Sequence, residues 1–378
     1  MAPLPKSNRR EFLIKAGLFA SIPFLHRFDV EAAEHILQTS EAGKNSLKVL
    51  TCNIRVDLPE DAEKGLVIYR SWKPHGRAYN PSELSELLKE TGAEALISEH
   101  DEITEQVLRA HPDLKFVGIC RGTPSNINLA VATELGIPVF NTPARNAQAV
   151  AEMFIANVIT LMRNTLPAIS WLEGKHWGEG AHTSYLEFKG NELAGKKVGM
   201  VGFGAVGQHI ARMLQNFPSE IYYYDPYYTD ENKDYKKVEL QELFAICDVV
   251  GIHLPVTPET EGLIDKKYLD LLKEDAIFVN TARAVVVNKE DLLHTIENGK
   301  IRGAVLDVFY HEPPDETDYK MILNKRVLAT PHIAGATHEV EDHHAFIMNN
   351  NLREFFRKGN TGIKQLVNKN VLERISIG

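Results

Sequence analysis

The stretch VGMVGFGAVGQHIARML (198–214) places Gly202, Gly204 and Gly207 directly after an apolar run and directly before a helical pattern. This glycine spacing is common by chance, but between a strand and a helix it indicates a phosphate-binding turn. The first glycine permits the tight turn, the second lets the backbone approach a pyrophosphate, and the third lets the helix pack on the strand. The helix N-terminus then faces the phosphates. The stretch therefore predicts a dinucleotide-binding domain.

An acidic residue closes the next predicted strand. Asp225 ends the run IYYYD (221–225), at the point where a carboxylate would bond the adenosine ribose hydroxyls. A fixed negative charge there would repel the 2′-phosphate of NADP. The position of Asp225 therefore favours NAD as the cofactor.

Short β-rich runs alternate with helical patterns on both sides of this turn. The pattern predicts an α/β protein with two doubly wound parallel-sheet domains, a Rossmann NAD-binding domain and a discontinuous flavodoxin-like substrate domain. The first series of strands comprises LKVLTCNI (47–54), GLVIYR (65–70), AEALIS (93–98), LKFVGIC (114–120) and IPVFN (137–141). The expected boundaries are 1–45 for an extension, 46–145 for the first part of the substrate domain, 146–332 for the NAD-binding domain and 333–378 for the return to the substrate domain.

Two long helical patterns flank the predicted NAD-binding domain. Residues 146–177 are mostly apolar and predict one long helix, bent near Pro167, of the kind that bridges two domains. Its apolar surface, over 146–172, would support a homodimer. A second helical pattern, 340–359, is long enough to return the chain to the first domain.

Composition excludes several classes of function. The chain has 378 residues, a formal net charge of −9 and no long Lys/Arg run beyond its N-terminus, so it lacks the electrostatic footprint of a nucleic-acid-binding protein. Cys52, Cys120 and Cys247 are too widely spaced for a disulfide framework or a metal site. We expect them to be small buried hydrophobic residues, and we predict no metal.

The N-terminus carries a pattern similar to an export signal. In SNRREFLIKAG (7–17), Arg9 and Arg10 precede Phe12 and Leu13, and the apolar run AGLFASIPFL (16–25) follows. That run is too short to anchor the chain in a bilayer. Two interpretations stay open: twin-arginine export to the periplasm of a folded protein with its dinucleotide bound, or an amphipathic extension on a cytoplasmic protein.

Three chemically active residues follow strands of the second series. Arg283 ends IFVNTAR (277–283), Glu312 follows AVLDVF (304–309) by three residues, and His332 ends VLATPH (327–332). Ligands of open α/β sheets bind outside the carboxyl ends of the strands, so these residues are expected to converge on the nucleotide crevice. Hydride transfer to a 2-keto acid requires an arginine that binds the substrate carboxylate and a histidine that delivers a proton. It also requires a glutamate that orients the histidine ring.

Five ordered segments carry a resemblance to a known family. GKKVGMVGFGAVGQHIARM (195–213), HLPVTPETEGLI (253–264), FVNTARAVVVNKEDL (278–292), GAVLDVFYHEPP (303–314) and ATPHIAGAT (329–337) resemble the D-isomer-specific 2-hydroxyacid dehydrogenases, in particular the phosphoglycerate-dehydrogenase-like members. The resemblance implies a homodimeric enzyme in which Arg283, Glu312 and His332 are catalytic. The expected cofactor-binding residues are Gly202, Gly204, Ala205, Val206, Gly207, Asp225, His253, Thr281, Ala282, Arg283, Asp307 and His332.

The sequence departs from the family at the loop expected to hold the substrate. CRGTPSNIN (120–128) stands where the family has a glycine-rich loop whose N–H groups bind the substrate carboxylate. We expect Arg121, Gly122 and Thr123, with Arg283, to contact substrate. Pro124 removes one donor and Arg121 adds a cation, which would either select a second anionic group on the substrate or form an internal salt bridge.

The leading hypothesis is an NAD-dependent oxidoreductase that interconverts a small 2-keto acid and its D-2-hydroxy acid. One alternative is an activity similar to formate dehydrogenase, but that branch pairs its histidine with glutamine, and Glu312 argues against it. Another is a corepressor-like nucleotide-sensing module, which need not keep all three catalytic residues. The remaining histidines, His311 among them, are expected on the surface or in the core.

Overall fold

The computed structural model describes residues 48–52, 67–178, 182–229 and 233–375, so the predicted extension 1–45 lies outside the described residues. The chain divides into two compact units. The first contains the described residues up to Cys120, Pro124–Asn141 and the chain from Ala345 onward. The second contains Arg121–Thr123 and Thr142–His344. The chain thus leaves the first unit and returns to it near the C-terminus, with divisions at 141/142 and 344/345 where we expected 145/146 and 332/333.

The first unit contains a parallel five-stranded sheet in the order β2-β1-β3-β4-β5. This is the flavodoxin-like strand order, and it confirms the predicted fold class for this part of the chain. The strands are β1 Val49–Thr51, β2 Val67–Tyr69, β3 Ala95–Ser98, β4 Phe116–Ile119 and β5 Val139–Asn141. The helices are α1 Pro81–Thr91, α2 Glu105–Ala110 and α3 Leu129–Glu134.

Helix α1 shows how local sequence sets these elements. Asn80 caps its first turn by accepting from the backbone N–H of Glu83, whose side chain in turn accepts from the N–H of Asn80. Gly92 ends the helix in a left-handed conformation, with φ 60°. Leu84 and Leu88, one turn apart, are buried. Burial of each leucine contributes about 1.5–3 kcal/mol to folding.

The second unit contains a parallel seven-stranded sheet in the order β12-β11-β10-β9-β6-β7-β8. Its first helices are α4 Ala147–Met162, α5 Thr165–Glu173 and α6 Thr183–Glu187. The strands are β6 Lys197–Val201, β7 Glu220–Tyr224, β8 Tyr235–Lys237, β9 Val249–Ile252, β10 Ile277–Asn280, β11 Gly303–Leu306 and β12 Val327–Ala329. Interspersed with them are α7 Ala205–Leu214, α8 Leu240–Ile246, α9 Lys266–Leu269, α10 Lys289–Glu297 and α11 Glu316–Ile322. Helix α12 His338–Leu352 begins in this unit and ends in the first one, because the division at 344/345 falls within it.

The strand order of the second unit confirms the predicted Rossmann fold. Counted from β6, it reads 3-2-1-4-5-6-7, and the direction of winding reverses between β6 and β9. A hydrophobic core lies on each face of the sheet. Strand β8 was missed by sequence reasoning because it has three residues, YKK, of which only Tyr235 is buried.

The predicted single helix over 146–177 is wrong. Helix α4 ends at Met162, and α5 begins only at Thr165, because Asn164 adopts a left-handed conformation with φ 52°. Pro167 does not cause the break. It is the third residue of α5, where a backbone N–H has no helical acceptor and its loss costs little.

The three cysteines have the predicted environment. Cys52, Cys120 and Cys247 are buried, as expected for small hydrophobic residues, and burial raises the pKa of Cys247 to about 12. Among the described residues, no helix is long and apolar enough to cross a membrane.

Candidate active site

The glycine turn lies at the switch point between β6 and β9, where the carboxyl ends of two oppositely wound strands leave a crevice. Gly202 follows β6 with φ 95°, a conformation that other residues rarely adopt. A Cβ on Gly202 would lie 2.8 Å from the carbonyl oxygen of His253, which follows β9. The turn can therefore close only around glycine.

The other two glycines have distinct surroundings. Gly204 is the N-cap of α7, and a Cβ there would meet no atom within 4 Å, so this backbone is open to a ligand. A Cβ on Gly207 would lie 2.6 Å from the carbonyl oxygen of Gly202, so helix and turn pack closely only because Gly207 has no side chain. Ala205 and Val206 are the first two residues of α7. An open cradle at the N-terminus of a ten-residue helix fits a dinucleotide pyrophosphate.

Asp225 lies directly beside this cradle. It follows β7, the neighbour of β6, and its Oδ2 accepts from the backbone N–H of Phe203 at 2.7 Å. Its Oδ1 accepts from the backbone N–H groups of Tyr227 and Tyr228 at 2.8 and 3.1 Å. These bonds hold the carboxylate beside the glycine turn, and its contact with the adenosine ribose stays a prediction.

Thr281, Ala282 and Arg283 follow the carboxyl end of β10. The buried Thr281 hydroxyl has no hydrogen-bond partner among the described residues, which leaves it able to bond a ligand. The Asn280 side chain accepts from the N–H of Ala282 and donates to the carbonyl of Arg283, both at 3.0 Å. Sequence reasoning missed Asn280, although a buried polar residue ending an apolar strand is a usable signal.

Arg283 lies at the end of this hydrogen-bonded turn, and its side chain is exposed. The residue is extended, with φ −148°, and its guanidinium donates to the carbonyl of Ala282 at 2.6 Å. Asn280 therefore fixes the backbone from which the Arg283 side chain projects.

Glu312 and His332 form a pair within the second unit. The Glu312 Oε2 atom lies 2.8 Å from the His332 Nδ1 atom, and Oε1 accepts from the backbone N–H of Phe309 at 3.2 Å. Because Nδ1 is engaged with the carboxylate, Nε2 is the ring nitrogen that can exchange a proton with another molecule. Both side chains are about two-fifths exposed, at 41% and 44%, so the pair is accessible.

Asp307 holds the loop that carries His332. Its carboxylate is buried and accepts from the Thr330 hydroxyl at 2.6 Å and from the N–H groups of Ile333 and Ala334 at 2.9 and 2.8 Å. These bonds span His332, whose φ of 54° is unfavourable for a residue with a side chain. We expected Asp307 to contact the cofactor, and the structure shows its carboxylate bound to this loop.

The ring of His253 is buried against helix α4. It packs against the ring of Phe154 on α4, with centroids 5.6 Å apart, while the backbone carbonyl of His253 lies against Gly202. Both ring nitrogens are buried without a hydrogen-bond partner among the described residues, and this burial lowers the pKa of His253 to about 3. The imidazole is therefore neutral near pH 7.

The predicted substrate loop begins at the carboxyl end of β4. Arg121 is half-buried, and its carbonyl accepts from the N–H of Thr142 at 3.0 Å. Gly122 and Thr123 are exposed. All three residues therefore follow a strand end, which is where a parallel sheet binds its ligand.

Comparison with known proteins identifies the family. Residues 155–334 match the model of the D-isomer specific 2-hydroxyacid dehydrogenase, NAD binding domain. The Bacillus subtilis (strain 168) protein YoaD, whose name assigns it to the 2-hydroxyacid dehydrogenases, is 52% identical over 340 residues, which cover 87% of this chain and 99% of YoaD.

Two further matches agree. The D-3-phosphoglycerate dehydrogenase of Haemophilus influenzae is 33% identical over 75% of this chain and 69% of its own length. A solved D-2-hydroxyisocaproate dehydrogenase shares the fold, with a TM-score of 0.71 and 24% identity over 84% of this chain and 98% of that one. The chain belongs to the D-isomer-specific 2-hydroxyacid dehydrogenase family and is an NAD-dependent enzyme of that family.

Proposed function

We propose that this enzyme interconverts a small 2-keto acid and its D-2-hydroxy acid, with His332 as the general acid and base. The observation that carries the proposal is the 2.8 Å contact between Glu312 and His332, on loops that leave neighbouring strands at the cofactor edge of the sheet. A carboxylate beside an imidazole stabilises the imidazolium and fixes its orientation. The pair is thus suited to hold a proton and deliver it from Nε2.

Each residue has a defined task in the reduction. The Arg283 guanidinium binds the substrate carboxylate and polarises the adjacent carbonyl. The His332 imidazolium gives its Nε2 proton to the carbonyl oxygen, which becomes the hydroxyl of the product, and Glu312 holds the ring through Nδ1. When bound, NADH supplies the hydride that this carbonyl carbon receives. In the oxidation, neutral His332 accepts the hydroxyl proton.

We propose further that Arg121 favours substrates with a second anionic group, such as a phosphate or distal carboxylate. Its guanidinium follows a strand end of the first sheet, where a planar, permanently charged donor would bind such a group. An internal salt bridge remains the alternative for this side chain.

One experiment tests the reaction and the role of Arg121. NADH consumption is measured with a panel of monoanionic and dianionic keto acids, on the native enzyme and on Arg121→Ala. We expect the variant to lose about tenfold in its preference for dianionic substrates. Arg109→Ala is the control, because Arg109 is an exposed arginine paired with Glu105 and Glu134. An unchanged preference would assign Arg121 to a salt bridge, and no consumption with any keto acid would favour the nucleotide-sensing alternative.

Asp225 is expected to exclude NADPH by charge repulsion. Asp225→Ser should reduce the preference for NADH over NADPH by about tenfold, measured as the ratio of kcat/KM values. Asp248→Ser is the control, since it removes a carboxylate from the opposite edge of the sheet, where Asp248 pairs with Lys273. A native enzyme that used both cofactors equally well would contradict this assignment.

We also propose that two copies of the chain associate through α5 and its surroundings. Helix α5 has no buried residue, and its apolar side chains Leu166, Ile169 and Leu172 are 51%, 46% and 54% exposed. Large apolar side chains exposed together on one helix are typical of an interface. Leu172→Asp should lower the mass measured by sedimentation to that of one chain. Leu323→Asp, at a residue 77% exposed elsewhere, should leave it unchanged.

For localisation we propose twin-arginine export of the folded enzyme with NAD bound. The support is the sequence RREFL (9–13) with its following apolar run, outside the described residues. An unfolded chain has no site for the dinucleotide, so only folded export would carry it along. Fractionation of cells expressing the native chain or Arg9→Lys/Arg10→Lys tests this, because only the native chain should reach the periplasm. Equal retention of both chains in the cytoplasm would favour the amphipathic extension.

A further inference from the structure

A cluster of charged side chains surrounds the residue that precedes Glu312 in the chain. It is built from the residue before Glu312, from the N-terminal turn of α11 and from the first residue of α10. The carboxylates and the imidazole approach within 4.8 Å of one another. We call this the anchor cluster, and its members are His311, Asp315, Asp318 and Lys289.

Asp318 is the centre of the anchor cluster and is completely buried. Its Oδ2 accepts from the backbone N–H and the Nδ1 of His311, at 3.1 and 3.2 Å, and from the N–H of Asp315 at 3.3 Å. Its Oδ1 lies 3.2 Å from the ammonium of Lys289. A buried carboxylate is tolerated only when it is paired in this way. The position of His311 is therefore determined from the core.

Tyr310, the residue before His311, is also held in place by its neighbours. The hydroxyl of Tyr310 donates to the carbonyl of Val287 at 2.7 Å, and burial raises the pKa of Tyr310. The Lys289 ammonium lies 5.2 Å from the centre of the same ring. Tyr310 and His311 are thus tied to α10 and α11, and Glu312 is the next residue along the chain.

We propose that Asp318, acting through His311, is a positioning residue that sets where Glu312 meets His332. This inference rests on the proposed function, because positioning matters only if the Glu312–His332 pair moves the proton. The loop with Glu312 and the loop with His332 are each held by a buried carboxylate, Asp318 for the first and Asp307 for the second. A displacement of either loop would stretch the 2.8 Å contact on which the orientation of the imidazole depends.

The anchor cluster also has donor atoms that a divalent cation could use. In this structure the Lys289 ammonium already lies 3.3 Å from Asp315 and 3.2 Å from Asp318. It supplies the positive charge that the two carboxylates require. We therefore assign the cluster to positioning by Lys289 and His311.

The test compares Asp318→Asn and His311→Ala with Glu316→Gln as the matched control. Glu316 is exposed in the same turn of α11, so its substitution removes one charge there without touching the anchor cluster. We expect kcat to fall about tenfold in Asp318→Asn and in His311→Ala, with the KM for NADH unchanged. His311 lies at the surface, so its variant should fold even if Asp318→Asn does not.

A double-variant cycle separates positioning from general destabilisation. If Asp318 acts through Glu312, then Asp318→Asn should cause little further loss in an enzyme that already carries Glu312→Gln. The proposal is overturned by additive losses, by normal kcat in His311→Ala, by an equal loss in Glu316→Gln, or by loss of activity with a chelator. Failure of the proposed function has a different signature, which is normal turnover in His332→Ala.

Discussion

Replacement of His332 by alanine is expected to lower kcat for keto-acid reduction by about two to four orders of magnitude, the usual loss when a general acid is removed. The imidazole is the group that Glu312 orients through Nδ1, so its Nε2 is the proton donor in this assignment. The glycine turn lies on other strands, and the affinity for NADH should stay nearly unchanged. Steady-state turnover and fluorescence titration with NADH measure the two quantities.

His338→Ala is the matched control for this experiment. His338 is exposed and begins α12, six positions beyond His332, so the substitution removes an imidazole from a nearby surface. Its kcat should equal that of the native enzyme. Turnover in His332→Ala that remained within a few-fold of the native value would refute the assignment of the general acid.

Replacement of Asp307 by asparagine is expected to lower kcat by about a hundredfold, because a shift of about 1 Å in a catalytic group can cost this much. The buried carboxylate accepts three hydrogen bonds from the loop 330–334. In the asparagine variant an amide NH2 group replaces one oxygen and cannot accept a hydrogen bond from the loop. The His332 backbone, with φ 54°, would lose the contacts that hold it. Unfolding should also become easier by about 1–3 kcal/mol.

Activity is measured well below the unfolding transition, so that destabilisation and misplacement of His332 are separated. Asp275→Asn is the control, because Asp275 is an exposed aspartate just before β10. If Asp307→Asn unfolded more easily but kept native kcat, Asp307 would stabilise the loop without positioning the histidine.

Local pattern alone was enough to predict the fold class and the general location of the site. Apolar runs of four to eight residues separated by helical patterns predicted two parallel sheets, and the structure contains two, of five and seven strands. Parallel strands place their carboxyl ends at one edge, so a strand-end position sufficed to group Gly202, Arg283 and His332. The roles of Gly202 and Gly207 were predictable because backbone geometry, which the turn itself imposes, leaves no room for a Cβ.

Side-chain partners required the tertiary structure. The periodicity of a sequence indicates which face of an element is buried, but not which donor a buried group will meet. The Asp307 carboxylate binds the His332 loop more than twenty residues away, and the His253 ring packs against Phe154 on α4, two contacts that the sequence did not indicate. The sequence analysis did not single out Asp318, whose contacts with His311 and Lys289 come from three separate segments of the chain.

The sequence by itself therefore predicted the fold class, the glycine turn and three candidate reactive residues, because local periodicity and backbone sterics indicate where strands end and where only glycine fits. The tertiary structure decided how precisely the reactive residues are held. Burial gives a carboxylate such as Asp307 or Asp318 a strong need for donors, and only packing brings those donors from distant segments within hydrogen-bond reach.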